Sequence, residues 1–196
     1  MNGSNIAGGN PTNGRVNDDF YATNPADTIA FLELIDSEYD LTHANILEPS
    51  AGQGHITNVL KERYPGSSIV GRDLVDRGNS DIEPNVDFLK DTRKENFDYV
   101  ITNPPFNIAR EFIDTALTKS DKVFMFAKLQ FLEGRARKEW FQTVPLKYVY
   151  VYSYRANPWR NGESRDQNGK RWASTMAFAW YVLDKDYVGE PIIKWI

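Results

Sequence analysis

Four short segments of this chain carry residue types that could do chemistry, and each follows an apolar run. Asn103-Pro104-Pro105-Phe106 is the most specific. Two consecutive prolines fix φ and leave both positions without an N–H donor. The local polar inventory is then the Asn103 amide and free carbonyls, beside the π surface of Phe106. Such a set suits accepting hydrogens from a planar amino group and stacking on its ring; a rigid strand-ending turn is the plainer use of the same residues. Glu48-Pro49-Ser50-Ala51-Gly52-Gln53-Gly54 is a second candidate, because its glycines let the backbone turn tightly and approach a ligand. It is neither G-x-G-x-x-G nor a P-loop, since no lysine follows. Asp73 comes about twenty residues later, the spacing of a carboxylate that accepts from ribose hydroxyls in nucleotide-binding α/β sheets. Asp87-Phe88 could supply an acceptor for an exocyclic amino group and an aromatic flank for a purine.

These residues need elements to position them, and the hydrophobic pattern supplies an alternation. Residues 1–17 are rich in Gly and Asn without apolar period and are expected to form a flexible arm. Asn24-Pro25 is a helix start, with Asn24 as cap and Pro25 at the first helical position. Ile29, Leu32 and Ile35, widened by Phe31 and Leu34, give that helix an apolar face. Strand-like runs are expected at 44–47, 68–74, 86–89, 97–102 and 123–126. Helices built on Ile56, Val59 and Leu60 and on Ile108, Phe112, Ile113 and Leu117 lie between them. After Pro145, runs at 148–154 and 176–183 suggest an antiparallel pair joined by a long polar loop. The order predicts an α/β fold in one domain, residues 18–196. Its mostly parallel sheet has seven strands, the last antiparallel, with helices on both faces. Ligands of such sheets bind beyond the carboxyl ends of the strands, where all four segments fall.

Composition narrows the chemistry. The 196 residues include no cysteine and two histidines, which removes disulfides, thiolate zinc, a cysteine nucleophile and a histidine-rich metal centre. No metal is expected. No apolar run approaches the ~20 residues of a membrane span, and the start lacks a signal-peptide core, so a cytoplasmic protein without membrane partners is the expectation. The formal charge of −4 hides an asymmetry: residues 119–172 hold 12 Lys and Arg against 5 Asp and Glu. A basic segment in an acidic chain is a footprint for a polyanion. Within it, Arg155, Trp159, Arg160, Arg165, Lys170, Arg171 and Trp172 interleave cations and indoles on one loop, a composition that can hold phosphates and stack on bases. Lys128 and Arg135, with Arg137 and Lys138, extend the same basic stretch. Loop 155–173 is therefore the candidate DNA-contacting insertion, with a solvated loop as its alternative. His55 reads as a surface residue at a helix start.

In order and spacing, Glu48 to Gly54, Asp73, Asp87-Phe88 and Asn103-Pro104-Pro105-Phe106 resemble class I S-adenosylmethionine-dependent methyltransferases. More narrowly, they resemble the amino-methyltransferases with an N-P-P-[FYW] motif, chiefly N6-adenine DNA methyltransferases. Phe20-Tyr21-Ala22-Thr23-Asn24-Pro25 looks like the N-terminal cofactor motif of that group, and Leu129 to Gly134 resembles its segment after the fifth strand. The resemblance spans about residues 18–185. It implies S-adenosyl-L-methionine as cofactor, with Glu48, Pro49, Ser50, Ala51 and Gly52 around its methionine part and Asp73 on its ribose. Leu74 and Phe88 would flank its adenine, Asp87 would take the adenine amino group, and Asp91 is a weaker stand-in for Asp87. Phe20, Tyr21 and Thr23 would close over the methionine end. Asn103, Pro104, Pro105 and Phe106 would be the catalytic set, acting on an adenine flipped out of DNA, in a restriction-modification or phage setting. Members of the group usually append a target-recognition domain, for which 196 residues leave no room, so a homodimer or a separate recognition subunit is expected. An RNA base or a protein glutamine amide presents the same planar amino group, and a non-catalytic cofactor-fold subunit is a third reading.

Overall fold

The computed structural model describes residues 20–171 and 175–196. The expected N-terminal arm (1–17) and Trp172 lie outside them. Ten strands and four α-helices are present among the described residues: β1 (Tyr21–Ala22), α1 (Pro25–Ile35), β2 (Asn45–Glu48), α2 (His55–Arg63), β3 (Ser68–Arg72), β4 (Ile82–Glu83), β5 (Tyr99–Thr102), α3 (Ala109–Ala116), β6 (Lys122–Lys128), α4 (Arg135–Phe141), β7 (Leu146–Val151), β8 (Trp159–Arg160), β9 (Phe178–Asp184) and β10 (Ile192–Trp195). Eight of the strands form one sheet in the order β10-β7-β9-β6-β5-β2-β3-β4. All neighbours in it are parallel except β9, which runs antiparallel to both β6 and β7.

The central strands are apolar because both of their faces are covered. All four residues of β5 and all seven of β9 are buried. One face packs on α1 and α2, where Phe31 stacks on Trp180 with centroids 4.4 Å apart. The other packs on α3 and α4, with Phe131 set edge-on against Trp140 and Tyr181. The start of α1 follows the expected chemistry: Asn24 Oδ1 accepts from the Ala26 N–H at 3.1 Å and Pro25 opens the helix. Its buried face is narrower than expected, Phe31, Leu32 and Ile35, while Ile29 and Leu34 are exposed.

Three expectations are corrected. The sheet has eight strands rather than seven, because Ile192–Trp195 adds a parallel edge beside β7; the antiparallel strand is the penultimate one. That outer edge leaves Ile193 and Trp195 exposed. The third strand is Ile82–Glu83, not 86–89, since Pro84 and Asn85 (φ 61°) interrupt the chain. Residues 86–89 form a turn instead, in which Asp87 accepts the Leu89 N–H. Finally, the long loop contains β8, which pairs with β1 as a separate two-stranded ribbon. No helix among the described residues is long and apolar enough to cross a membrane.

Candidate active site

The carboxyl ends of β2, β3 and β5 open into a cavity of about 590 Å³, within the range of small-molecule sites. It gathers Glu48, Pro49, Ser50, Ala51, Asp73, Leu74, Asp87, Phe88 and Asn103 to Phe106 from its floor, and Phe20, Tyr21 and Thr23 from above. Gly52 sits just behind this lining. Its φ of +57° and the Phe20 ring occupying the place of a Cβ explain why glycine stands there. The Gly52 N–H donates to Asp73 Oδ2 at 2.7 Å, and the Val75 N–H donates to Oδ1 at 2.9 Å. Two backbone donors thus hold the Asp73 carboxylate at the end of β3, and each oxygen keeps accepting capacity.

Glu48 is buried at 2% exposure and accepts the Thr57 N–H in the first turn of α2 at 2.9 Å. Burial pushes its carboxyl well above the usual range, and the charge of Asp73 adds to that rise. Leu74 is 61% exposed, an apolar side chain left uncovered at the rim, whereas Phe88 packs on Phe112 at 5.1 Å. Asp87 pairs with Lys90 at 2.7 Å, which holds its carboxyl below the ordinary value. Asp91 belongs elsewhere: Arg93 binds it through two nitrogens and lowers its pKa to about 2. It is not a stand-in for Asp87.

Asn103 is held on both sides. Its Nδ2 donates to the Tyr21 carbonyl at 2.7 Å and to Thr23 Oγ1 at 3.0 Å, while its own carbonyl accepts from Ser50 Oγ at 3.0 Å. Both amide protons are used, and Oδ1 accepts no hydrogen bond among the described residues. The Pro104 carbonyl also accepts no hydrogen bond among the described residues, whereas that of Pro105 takes the Ile108 N–H. The Phe106 ring lines the cavity, stacks on Tyr21 (6.1 Å, interplanar 26°) and tilts against Phe178, with Lys128 Nζ 4.8 Å from its centroid.

β1 lines this cavity as its roof, and β8, outside the lining, braces β1 by pairing with it. Tyr21 pairs with Arg160 and Ala22 with Trp159, and the Asn161 N–H donates to the Phe20 carbonyl. Trp159 sits edge-on to His55 at 5.4 Å. His55 is therefore a half-buried part of the cavity wall, not the expected surface residue, and burial lowers its pKa. Arg77, which no sequence pattern singled out, caps the Phe20 ring at 4.0 Å and approaches Asp73. Its one sequence signal is its place four residues after Asp73. Beyond the ribbon the loop is polar and exposed: Arg155, Arg165, Lys170 and Arg171 face solvent, and Arg165 Nη1 donates to the Gly169 carbonyl. Arg135 is exposed at the start of α4. Trp159 and Arg160 are half-buried in the ribbon, so part of the basic loop is structural roof.

The sheet, with β9 antiparallel between β7 and β6, has the fold of solved class I S-adenosylmethionine-dependent methyltransferases. A candidate class I methyltransferase from Listeria monocytogenes superposes with a TM-score of 0.66 at 11% identity, over 91% of this chain and 66% of its own. The methyltransferase subunit of a type I restriction-modification system from Streptococcus thermophilus gives 0.63 at 13% identity, over 86% of this chain. This chain spans 45% of that subunit's length. A candidate RNA methyltransferase from Pyrococcus horikoshii gives 0.61 at 16% identity, over 84% of this chain and 86% of its own. At these identities the likeness is one of fold. No family model matches the sequence, and no curated protein matches it.

Proposed function

We propose that the chain is an S-adenosylmethionine-dependent methyltransferase acting on the exocyclic amino group of adenine in DNA. The observation that carries this reading is the Asn103 side chain: its nitrogen is spent on the chain itself, which leaves its oxygen as an acceptor at the cavity. The lining suits the cofactor in chemistry as well as size. Asp73 keeps accepting capacity for ribose hydroxyls, uncovered Leu74 with Phe88 can flank a planar ring, and Asp87 can accept an adenine amino group. Glu48, Pro49, Ser50 and Ala51, with Gly52 behind them, would hold its methionine part, and Phe20, Tyr21 and Thr23 would close over it. S-adenosylmethionine, when bound, supplies an electrophilic methyl group on a sulfonium.

The chain's part is to prepare the amine. The target nitrogen is a weak nucleophile because its lone pair is delocalised into the purine. Asn103 Oδ1 and the Pro104 carbonyl, both without other partners, can accept its two hydrogens and favour a pyramidal nitrogen. This is preorganised electrostatic stabilisation. Phe106 offers a stacking face, and a duplex base would reach it only by flipping out, at a cost of a few kcal/mol. Lys128, Arg135 and the exposed loop cations Arg155, Arg165, Lys170 and Arg171 supply positive charge for the backbone phosphates.

An RNA base is the second reading, favoured by the Pyrococcus relative, whose length this chain nearly matches. Incubation with methyl-labelled cofactor and DNA, RNA or protein in parallel, followed by digestion to nucleosides and amino acids, tests both. N6-methyladenine from DNA is the expected product. Label confined to RNA selects the second reading, and label in glutamine or nowhere overturns both.

A further inference from the structure

We infer that Thr23 is a positioning residue that, together with the Tyr21 carbonyl, holds the Asn103 amide with its oxygen toward the target amine. An asparagine side chain presents a donor end and an acceptor end of nearly the same shape, and only one of them helps at this site. An NH2 group facing an amino group would set donors against donors. The structure resolves the choice locally. The Tyr21 carbonyl can only accept, so it selects the nitrogen end at 2.7 Å. The Thr23 hydroxyl takes the second proton at 3.0 Å, and at 2% exposure it has no water to exchange for that bond.

Tyr21 is itself set by its pairing with Arg160 in the ribbon. The device is therefore carried by the roof of the cavity, while Asn103 belongs to its floor. Ser50 fixes the other side by donating to the Asn103 carbonyl and bonding Thr102 Oγ1 at 2.6 Å. The backbone at Asn103 is thus anchored independently of Thr23. Losing the threonine hydroxyl leaves the amide held by the Tyr21 carbonyl alone, so it turns more easily about its last bond without moving the residue.

The inference rests on the amino-methyltransferase reading for its effect on rate, but its geometry can be measured without a substrate. Thr23→Val is nearly isosteric and removes the acceptor. It is expected to lower kcat about tenfold, as a neutral hydrogen bond expressed at the catalytic step would. KM for DNA should stay near that of the unmodified chain, and the Kd for S-adenosylmethionine, whose methionine end Thr23 would also border, should rise by much less than kcat falls. Thr23→Ser, which restores the hydroxyl, should recover most of kcat; Thr23→Ala serves if valine is not tolerated. In parallel, the Asn103 side-chain NH2 signals, assigned by their loss in Asn103→Ala, should exchange slowly in the unmodified chain and in Thr23→Ser, and faster in Thr23→Val. An unchanged kcat, a serine variant as slow as valine, or a cofactor Kd that rises in step with the rate loss overturns the inference. If no substrate is methylated at all, the functional reading falls, and the NH2 exchange still decides whether Thr23 holds the amide.

Discussion

The floor and the roof of the cavity are built on different principles. On the floor, polar side chains are pinned by main-chain groups at the ends of buried strands: Asp73 by two backbone N–H groups and Glu48 by the first turn of α2. On the roof, two-residue strands, an Arg77–Phe20 stack and an edge-on Trp159–His55 pair do the holding. Floor groups have no alternative arrangement within a close-packed sheet. Roof contacts are few and near solvent, the kind of structure that opens at low cost. The division would suit the proposed site, which has to keep its acceptors fixed and still admit a cofactor and a target base.

Substitutions can break or sharpen that contrast. The largest effect is expected at Asn103, where floor and roof meet. Asn103→Ala should reduce methyl transfer by about 10²–10³, the usual loss of one preorganised group, with the cofactor Kd weakened only a few fold. Single-turnover rates beside calorimetric Kd values check this, and a rate within tenfold of the unmodified chain would place the chemistry elsewhere. Next comes Gly52→Val, which puts a side chain at φ +57° and against the Phe20 ring. Strain of about 1–3 kcal/mol should appear as loss of both stability and cofactor affinity. Gly169→Ala, also at positive φ but with open space around it, should cost stability alone.

A smaller effect tests the exposed part of the loop. Replacing Arg165, Lys170 and Arg171 by Ala should weaken DNA binding and flatten its salt dependence, by roughly 0.9 in slope for each phosphate no longer neutralised. Cofactor affinity should hold, because these three lie beyond the ribbon. This separates them from Trp159 and Arg160, whose removal should disturb the roof and the cofactor together. A triple variant with the salt slope of the unmodified chain would leave the loop as plain solvated surface.

The smallest effect concerns stability and pH. Burial holds the Glu48 carboxyl above its ordinary value of 4.5, so the folded chain binds this proton more readily than the unfolded one. Its contribution is fully present at low pH and is lost as pH rises from about 4.5 through the raised folded value. Glu48→Gln can still accept the Thr57 N–H and carries no buried charge. It should raise the Tm at pH 8, by about 2–4 °C per kcal/mol of relief, and the gain should shrink toward pH 4.

The floor was largely legible in the sequence because its chemistry and its local pattern coincide. Each polar segment directly follows an apolar run, so reading the strands placed Glu48, Asp73 and Asn103 at one sheet edge without knowledge of packing. The exception is instructive: Asp87-Phe88 lines the cavity from a turn, since Pro84 ends the third strand early. The roof left almost no such trace. Two residues of β1 pair with two of β8, too few to show a period, and Tyr21 and its partner Arg160 lie 139 positions apart. His55 meets Trp159 only through that pairing, so no local signal could assign it, and Arg77 offered only its place four residues after Asp73. β10 escapes the pattern for a related reason, being four residues at an edge with most of its side chains exposed.

The distance between β1 and β8 along the chain has a consequence for biosynthesis. Glu48 to Phe106, every floor residue named above, leave the ribosome before the second half of the sheet exists. The roof cannot close until Trp159 and Arg160 have emerged, and the same holds for the tie of Tyr154 to Asp27, 127 positions away. Contacts of such long range form late because loop closure precedes any gain from them. A nascent chain would therefore carry an open, unguarded pocket until the residues of β8 have emerged and paired with β1.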